Sequence, residues 1–308
     1  MKHIFLINPI SGHGTGKKQI SFIEDYCQKE NLDYQILISE YSGHTTVLAK
    51  GFTAKDDVCL YGVGGDGTAY EVLNGLNEGV LMAIIPAGSG NDFYSNISSN
   101  KKDLKDIIIE TINGENVEVD YAVANGSRFL NCATVGFDAT INYMMNIKYR
   151  NIKIIPSKMM YVYAALANVF KPEPLDITYS IDGIEYTNTV LLLGVINGTR
   201  YGGGFKPAPS ALVNDRKLDF CMIDFVKTGT ILRLLPVYYR GKHVNLPVAT
   251  MRQGKEFRIT GDKPMYFNVD GEIIETQDMK ISLQADKINM RVSKSAKEKL
   301  ALGKRKSQ

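Results

Sequence analysis

Three glycine-rich turns carry the residues whose types and spacing could do chemistry. They occupy residues 8–17, 62–68 and 86–93, and each follows a short apolar segment of strand length. Glycine lets the backbone approach a ligand closely, and free N–H groups at such turns, or at the helix N-termini behind them, bind anions. The three turns therefore predict a site for phosphate groups.

The first turn is not a P-loop. With Lys17 as the P-loop lysine, Ser11 would stand where the opening glycine is required, and Lys18 where a serine or threonine must follow. The turn still offers backbone N–H groups and a helix N-terminus to an anion.

The second turn places an aspartate, Asp66, among glycines. It formally contains the G-x-G-x-x-G pattern of dinucleotide-binding folds, which also need an acidic residue about twenty positions later, at the end of the next strand. That strand ends with Ile84, Ile85 and Pro86, so the dinucleotide-binding interpretation fails. A carboxylate among phosphate-binding amides suits Mg²⁺ binding or the acceptance of a proton. Asp66 is therefore the first catalytic candidate.

The apolar spacing predicts the elements that position these turns. Strand and helix patterns alternate through residues 1–112, which implies β-α-β crossovers and a parallel sheet whose loops converge at one edge. The predicted strands are 3–8, 34–39, 58–63 and 81–85, and the predicted helices are 16–31, 45–52, 68–76 and 103–112.

The pattern changes after about residue 117, where alternating apolar and polar residues predict a predominantly antiparallel β region. The predicted strands are 117–124, 129–135, 175–181, 190–196, 218–225, 256–259, 266–269 and 280–283. Two helices are predicted in this region, at 158–169 and 229–239.

Composition sets wider limits. The chain has 308 residues, 44% of them apolar and 22% charged, which is typical of a globular protein with two domains. No apolar run approaches the roughly 18 residues of a membrane span, and the first residues do not resemble a signal peptide. The four cysteines form no CxxC pair, so we expect buried thiols in a cytoplasmic protein. A net charge of +3 is too small to indicate a nucleic-acid partner.

Three sequence segments, in order, resemble the diacylglycerol kinase catalytic domain. They are GGDGT at 64–68, EVLNGL at 71–76 and PAGSGNDF at 86–93. The opening NPxSG at 8–12 fits the same family, which is related to the sphingosine kinases. In the second region, further segments are similar to the bacterial lipid kinases of this family, so the resemblance covers nearly the whole chain. These segments are 197–198, 202–204, 207–209, 214–219 and 269–272.

The resemblance implies a fold, a division into domains and an activity. We expect an α/β ATP-binding domain at 1–118, with a parallel sheet like that of phosphofructokinase and NAD kinase, completed by a C-terminal return at about 291–308. We expect a predominantly antiparallel β-sandwich at 119–290 that admits a lipid. The implied reaction transfers a phosphoryl group from ATP to a lipid hydroxyl in phospholipid metabolism, with diacylglycerol as the expected acceptor and phosphatidic acid as its product.

The resemblance also implies which residues contact the nucleotide and the metal. The nucleotide-contacting set is Asn8, Pro9, Ile10, Ser11, Gly12, Ser39, Gly65, Asp66, Gly67, Thr68, Glu71 and Ser89. Asp66 and Asp92 would face the phosphates and Mg²⁺, and Glu272 matches the position of the proton acceptor. Lys17 and Lys158 are candidates for further phosphate contacts. A structural Mg²⁺ would be held by the Asp215 carboxylate, with the backbone carbonyls of Leu212 and Lys217.

Two positions depart from the family pattern. Arg216 stands where the family has a glycine, and it would be strained there if that glycine needs a positive φ. His13 stands where a basic residue often follows the first Ser-Gly, which would shift phosphate binding to Lys17.

Other interpretations stay open for single residues. Asp92 could cap the helix that follows it, Glu272 could belong to an ordinary hairpin turn, and Lys158 could be the solvated start of a helix. The acceptor could be a sphingoid base, monoacylglycerol or phosphatidylglycerol. A soluble-substrate kinase of the NAD kinase type and a non-catalytic nucleotide-binding regulator are the remaining alternatives.

The uneven charge distribution predicts peripheral contact with an anionic membrane surface. Residues 139–172 contain no acidic residue, and residues 291–308 contain seven Lys or Arg residues and one Glu. Basic segments mixed with Met and Tyr suit such surfaces, although a solvated face is the alternative. The sequence leaves a homodimer open.

Overall fold

The structure is a computed structural model that describes residues 1–98, 103–144, 169 and 172–307. The predicted helix at 158–169 lies outside the described residues except for its last position, and so does Lys158. Most of the acid-free segment at 139–172 also lies outside them.

The chain divides into two compact units. The first comprises Met1–Tyr121, Leu212–Asp215 and Gln284–Gln308, and the second comprises Ala122–Ala211 and Arg216–Leu283. The C-terminal return thus begins at Gln284 rather than at about 291, because the last strand of the chain belongs to the first sheet. The sequence did not predict that Leu212–Asp215 joins the first unit.

The first unit is built on a six-stranded mixed sheet with the order β2-β1-β3-β4-β15-β5. Every neighbouring pair in it is parallel except β15 and β5, which are antiparallel. Numbered along the chain, its strands are β1 (Lys2–Ile7), β2 (Tyr34–Ile38), β3 (Val58–Gly64), β4 (Leu81–Pro86), β5 (Glu115–Val119) and β15 (Ile288–Val292). Every residue of β3 is buried, as expected of a parallel strand covered on both faces.

Helices cover this sheet and follow the strands that carry the glycine-rich turns. They are α1 (Ile20–Lys29), α2 (His44–Lys50), α3 (Asp66–Gly75), α4 (Asp92–Ile97), α5 (Leu104–Ile112) and the C-terminal α8 (Lys294–Ser307). Cys27 and Cys59 lie in the core, where burial raises the pKa of the Cys27 thiol to about 11 and that of the Cys59 thiol to about 12. Both are therefore neutral thiols at physiological pH. All four cysteines lie in the described part of the chain, where they are buried and form no disulfide, as the sequence predicts.

The second unit is a nine-stranded sheet in which all the pairings are antiparallel. Its strands are β6 (Ala122–Ala124), β7 (Ser127–Phe129), β8 (Cys132–Gly136), β9 (Leu175–Ile181), β10 (Ile184–Ile196), β11 (Leu218–Asp224), β12 (Ala249–Gly254), β13 (Glu256–Val269) and β14 (Glu272–Leu283). Strands β8 and β9 each pair with both β10 and β13, β9 with their first halves and β8 with their second halves. Within the described residues, its longer helices are α6 (Phe137–Tyr143) and α7 (Thr228–Tyr239).

The predicted fold class, a parallel α/β domain followed by an antiparallel β domain, is confirmed. Some element predictions were wrong. The strand predicted at 117–124 is two strands in different sheets, β5 and β6, and the strands predicted at 256–259 and 266–269 are one long strand, β13, with an irregularity between Thr260 and Met265. Among the described residues, no helix is both long and apolar enough to cross a bilayer.

Candidate active site

The three glycine-rich turns begin side by side, as the parallel sheet requires. Strands β1, β3 and β4 are neighbours in parallel register, with Ile7 opposite Val63 and Gly64 opposite Pro86. Backbone bonds continue past the strand ends, because Ala87 donates its N–H to the Gly64 carbonyl at 2.8 Å. The turns therefore form one continuous backbone surface at the carboxyl edge of the sheet.

Glycine is required where these turns touch. A Cβ on Gly88 would lie 2.3 Å from the Cα of Gly65, and a Cβ on Gly12 would lie 2.1 Å from the Ala87 carbonyl oxygen. Gly12 also has a φ of +55°, in the left-handed region that favours glycine. Backbone therefore packs on backbone where the turns meet, with no side chain between them.

Asp66 joins the second turn to the third. Its half-buried carboxylate accepts hydrogen bonds from the backbone N–H groups of Asp92 and Phe93, each at 3.1 Å. These are the first two residues of α4, so Asp66 caps a helix that starts 26 residues further along the chain. Each oxygen keeps a second lone pair, so the carboxylate can hold the helix and still accept a proton or bind a cation.

A second carboxylate lies close to Asp66. Asp92 is only 7% exposed, and a Cβ on Gly90 would lie 3.2 Å from Oδ2 of Asp66 and 3.9 Å from Oδ2 of Asp92. Glycine at position 90 therefore keeps the approach to both carboxylates open. Hard carboxylate oxygens beside turns that are predicted to bind phosphate fit Mg²⁺, whose remaining ligands would be phosphate oxygens and water.

Asn8 and Thr68 connect the first turn to the second. The Asn8 side chain donates from Nδ2 to Oγ1 of Thr68 at 3.3 Å and accepts the N–H of Ile10 at 3.2 Å. Thr68 is buried, and a Cβ on Gly64 would lie 2.1 Å from its Oγ1. Both residues were predicted to contact the nucleotide, and in the structure their side chains shape the turns.

Glu71 organises the loop that follows β2. Its carboxylate accepts the N–H of Gly43 at 2.9 Å and of Thr45 at 3.1 Å, at the start of α2. Thr46 donates its hydroxyl back to the Glu71 carbonyl at 2.9 Å. The same loop begins at Ser39, which is 7% exposed. The Ser39 N–H donates a hydrogen bond to the Ile7 carbonyl. Sequence reasoning predicted a nucleotide contact for Glu71 and missed this positioning role.

We expect Glu71→Ala to weaken ATP binding more than it slows turnover. The change removes both acceptors at the N-terminus of α2, which typically costs about 1 kcal/mol of stability and releases the loop that includes Ser39. Steady-state kinetics should show a higher KM for ATP with kcat less affected, and Glu71→Gln should recover part of the loss. An unchanged KM would contradict the positioning role.

The other predicted nucleotide contacts lie at the surface of the same edge. Pro9 and Ser11 are half-buried, and Ile10 is 82% exposed. Gly67, Ser89 and Lys17 are also exposed, and nothing lies within 4 Å of the point where a Cβ on Gly67 would stand. The structure thus brings these residues to one edge of the first unit.

Glu272 lies in the second unit, at the first position of β14. It pairs with Val269 across a tight turn formed by Asp270 and Gly271, with φ values of 47° and 103°, and it is exposed. The hairpin interpretation of this segment is therefore correct. The role of Glu272 as a proton acceptor stays a prediction.

Asp270 is a structural residue that the sequence did not reveal. Its carboxylate accepts the backbone N–H groups of three consecutive residues at distances from 2.7 to 3.2 Å; these are Leu130, Asn131 and Cys132. Asn268 accepts the Gly271 N–H at 2.9 Å and closes the turn. The carboxylate thus ties the turn that carries Glu272 to the segment before β8.

Of the predicted structural metal ligands, Leu212 and Asp215 belong to the first unit and Lys217 belongs to the second. Arg216 has a φ of 68°, so this position does require the conformation that a glycine would adopt without strain. Oδ1 of the neighbouring Asn214 is buried and has no hydrogen-bond partner in the described part of the chain. An amide oxygen left in this way beside a carboxylate fits a hard cation. Among the described residues, no group of three or more His, Cys, Asp and Glu is arranged to hold a metal by itself.

If Mg²⁺ binds at this turn, it should raise the melting temperature without nucleotide, because a ligand that binds only the folded state stabilises it. We expect the rise to disappear in Asp215→Ala and to be reversed by EDTA in the unmodified protein. If neither Mg²⁺ nor EDTA changes the melting temperature of the unmodified protein, the metal site is absent from this chain.

Comparison with known proteins gives matches along nearly the whole chain. Residues 2–124 match the family model described as the diacylglycerol kinase catalytic domain, and residues 131–291 match the YegS C-terminal NAD kinase beta sandwich-like domain. The chain is 28% identical over 303 residues to the YtlR protein of Bacillus subtilis, whose name assigns it provisionally to the lipid kinases; the match covers 92% of this chain and 97% of that protein. It is 29% identical over 265 residues to a diacylglycerol kinase of Mycobacterium tuberculosis, covering 82% and 83% of the two chains.

Solved structures share the fold. A diacylglycerol kinase from Bacillus anthracis has a TM-score of 0.70 at 21% identity, over 96% of this chain and 98% of that one. An NAD kinase from Archaeoglobus fulgidus in complex with ATP has a TM-score of 0.55 at 12% identity, over 99% of both chains. At these identities the likeness concerns the fold alone, and it agrees with the predicted parallel α/β and antiparallel β domains.

Proposed function

We propose that this chain, which belongs to the diacylglycerol kinase-like family of lipid kinases, transfers the γ-phosphoryl group of ATP to the hydroxyl of diacylglycerol and so forms phosphatidic acid. The observation that carries the proposal is the meeting of three backbone turns at the edge of the first sheet, where Asp66 of the second turn bonds to the start of α4 behind the third. Relatives that are named diacylglycerol kinase support the choice of acceptor.

ATP would bind with its phosphates on these turns. Gly65 and Gly88 pack their backbones together, so no side chain separates the second turn from the third there. Helix α3 begins at Asp66, and its N-terminus presents N–H groups that have no partner within the helix. The predicted contacts from Asn8 to Gly12, with Ser39, Gly67 and Ser89, would surround the rest of the nucleotide.

Catalysis would depend on positioning and electrostatics, as in phosphoryl transfer generally. Asp66 and Asp92 would hold Mg²⁺, which offsets the charge of the phosphate oxygens. A carboxylate would take the proton of the acceptor hydroxyl, and Asp66 and Glu272 are the two candidates. Asp66 is held in place by its bonds to the start of α4, so its oxygens are oriented before any substrate binds.

The lipid acceptor requires contact with a membrane. We propose peripheral, reversible association with an anionic surface, supported by the acid-free segment 139–172 and by the basic residues of the C-terminal segment. The basic segment 294–306 belongs to α8, while most of 139–172 lies outside the described residues.

A panel of acceptors tests the proposed reaction. Purified protein, radiolabelled ATP and Mg²⁺ are incubated with diacylglycerol, monoacylglycerol, sphingosine or phosphatidylglycerol in mixed micelles, and with NAD in solution. We expect radiolabelled phosphatidic acid as the main product. Transfer mainly to another lipid would correct the acceptor, transfer to NAD would replace the proposal, and absence of transfer to every acceptor would refute it.

A further inference from the structure

Helix α7 of the second unit exposes apolar side chains on one face. In the described part of that unit, the exposed large apolar residues are Leu232, Tyr239 and Ile184, and the first two belong to α7. Leu232 is 43% exposed and Tyr239 is 49% exposed. They are seven residues apart, with Pro236 exposed between them, which places all three on the same side of the helix.

The opposite side of helix α7 is packed into the core, which fixes the position of the exposed side chains. Ile231, Leu234 and Tyr238 are buried in the core of the second unit. Tyr239 also packs edge-to-face on Phe205, with the ring centres 5.3 Å apart. The apolar stripe is therefore a fixed part of the folded unit.

Basic residues border this stripe, and the sequence segment that contains the helix is basic. Residues 225–255 contain six Lys or Arg residues and no Asp or Glu. Arg233 and Arg240 each follow an exposed apolar residue by one position, so they lie along one border of the stripe. Neither forms an ion pair within the described residues. We call Leu232, Arg233, Pro236, Tyr239 and Arg240 the α7 face.

We propose that the α7 face docks the second unit on an anionic lipid surface, an inference that rests on the proposed lipid kinase function. Leucine and tyrosine would enter the interface between headgroups and acyl chains, while the guanidinium groups would pair with lipid phosphates. Charge complementarity favours this occupant. A second copy docked through the same face would bring the same arginines together, because a twofold interface is self-complementary.

This surface differs from the one that the sequence suggested. The sequence pointed to residues 139–172, whose apolar residues gave no information on exposure. The α7 face is identified by the solvent exposure of its side chains in the folded second unit. It would act in addition to the basic C-terminal segment. It would bring the second unit, which the proposed function assigns to the lipid, against the membrane.

Vesicle co-sedimentation without ATP tests the α7 face. We expect the unmodified protein to bind phosphatidylglycerol vesicles but not phosphatidylcholine vesicles. High salt should release the protein from the phosphatidylglycerol vesicles. Two double variants, Arg233→Glu with Arg240→Glu, and Leu232→Ser with Tyr239→Ser, should each bind phosphatidylglycerol vesicles at least ~10-fold more weakly. Melting curves are measured in parallel, so that a variant that fails to fold is recognised and the other double variant decides.

Matched controls use residues away from the α7 face. Lys50→Glu with Lys55→Glu makes the same change in net charge at exposed sites of the first unit, and Ile184→Ser removes an apolar side chain that is 62% exposed from a hairpin of the second unit. Both controls should bind vesicles as the unmodified protein does. Equal weakening in the controls, normal binding by the folded α7 variants, or no binding by the unmodified protein would overturn the proposal.

Activity on detergent-dispersed diacylglycerol separates this inference from the proposed function. The α7 variants should keep that activity, since dispersed lipid does not require docking. Vesicle binding that depends on the α7 face, without any kinase activity, would retain the docking surface and refute the kinase. Kinase activity together with vesicle binding that is unchanged in the α7 variants would retain the kinase and refute the docking surface.

Discussion

Replacement of Asp66 by Asn is expected to lower kcat by at least ~10², which is the range for the loss of a proton acceptor or an electrostatic group. The change keeps the size of the side chain but removes the charge that a cation or a proton needs. Asn also offers one acceptor oxygen where Asp66 uses two for the start of α4. We therefore expect a small loss of stability, of about 1 kcal/mol, beside the large loss of turnover.

A matched control separates the two effects. Asp103 also caps a helix, because its carboxylate accepts the N–H of Lys105 at the start of α5, but it is exposed and none of the three turns contains it. Asp103→Asn should give a similar or smaller change in melting temperature with normal kcat. Near-normal turnover by purified Asp66→Asn would remove Asp66 from the catalytic group.

The sequence predicted strands β1, β3 and β4 of the first sheet well because nearly every residue in them is buried. Their continuous apolar runs, each followed by a glycine-rich turn, give strong local signals. The second unit was harder. Strand β13 extends through Gly261 and Pro264, which usually interrupt strands, so two short segments were predicted in place of one. Helix α4 has six residues and begins after Asn91 at a φ of +55°, so no periodic pattern marks it.

The sequence names candidate residues for the site but not the hydrogen bonds between them. The family resemblance points to Asp66 and Glu71, whereas their partners, at Asp92 and Gly43, are set by the fold. Asp270 shows the same limit, because its three N–H donors lie about 140 residues earlier in the chain. A motif thus identifies a residue type at a position. Whether the side chain of that residue binds a ligand or a backbone N–H group depends on how distant segments pack against it.

Gly88→Ala is expected to weaken ATP binding by at least ~10², because a shift of about 1 Å in positioning groups can cost that much. The new Cβ would lie 2.3 Å from the Cα of Gly65 and 2.9 Å from its backbone nitrogen. Neither neighbour is a flexible side chain, so the second and third turns must separate. The amide groups that would hold the phosphates then lose their relative positions, and overpacking adds a stability cost of about 1–3 kcal/mol.

Isothermal titration calorimetry with ATP and Mg²⁺ measures this effect, and Gly229→Ala is the matched control. Gly229 lies in α7, has no atom within 4 Å of its would-be Cβ and has no positive φ, so alanine fits there. In a helix the control should be neutral or slightly stabilising. If Gly88→Ala instead binds ATP as tightly as the unmodified protein, the contact between the two turns does not shape the nucleotide site, and the phosphates must bind elsewhere on the first unit.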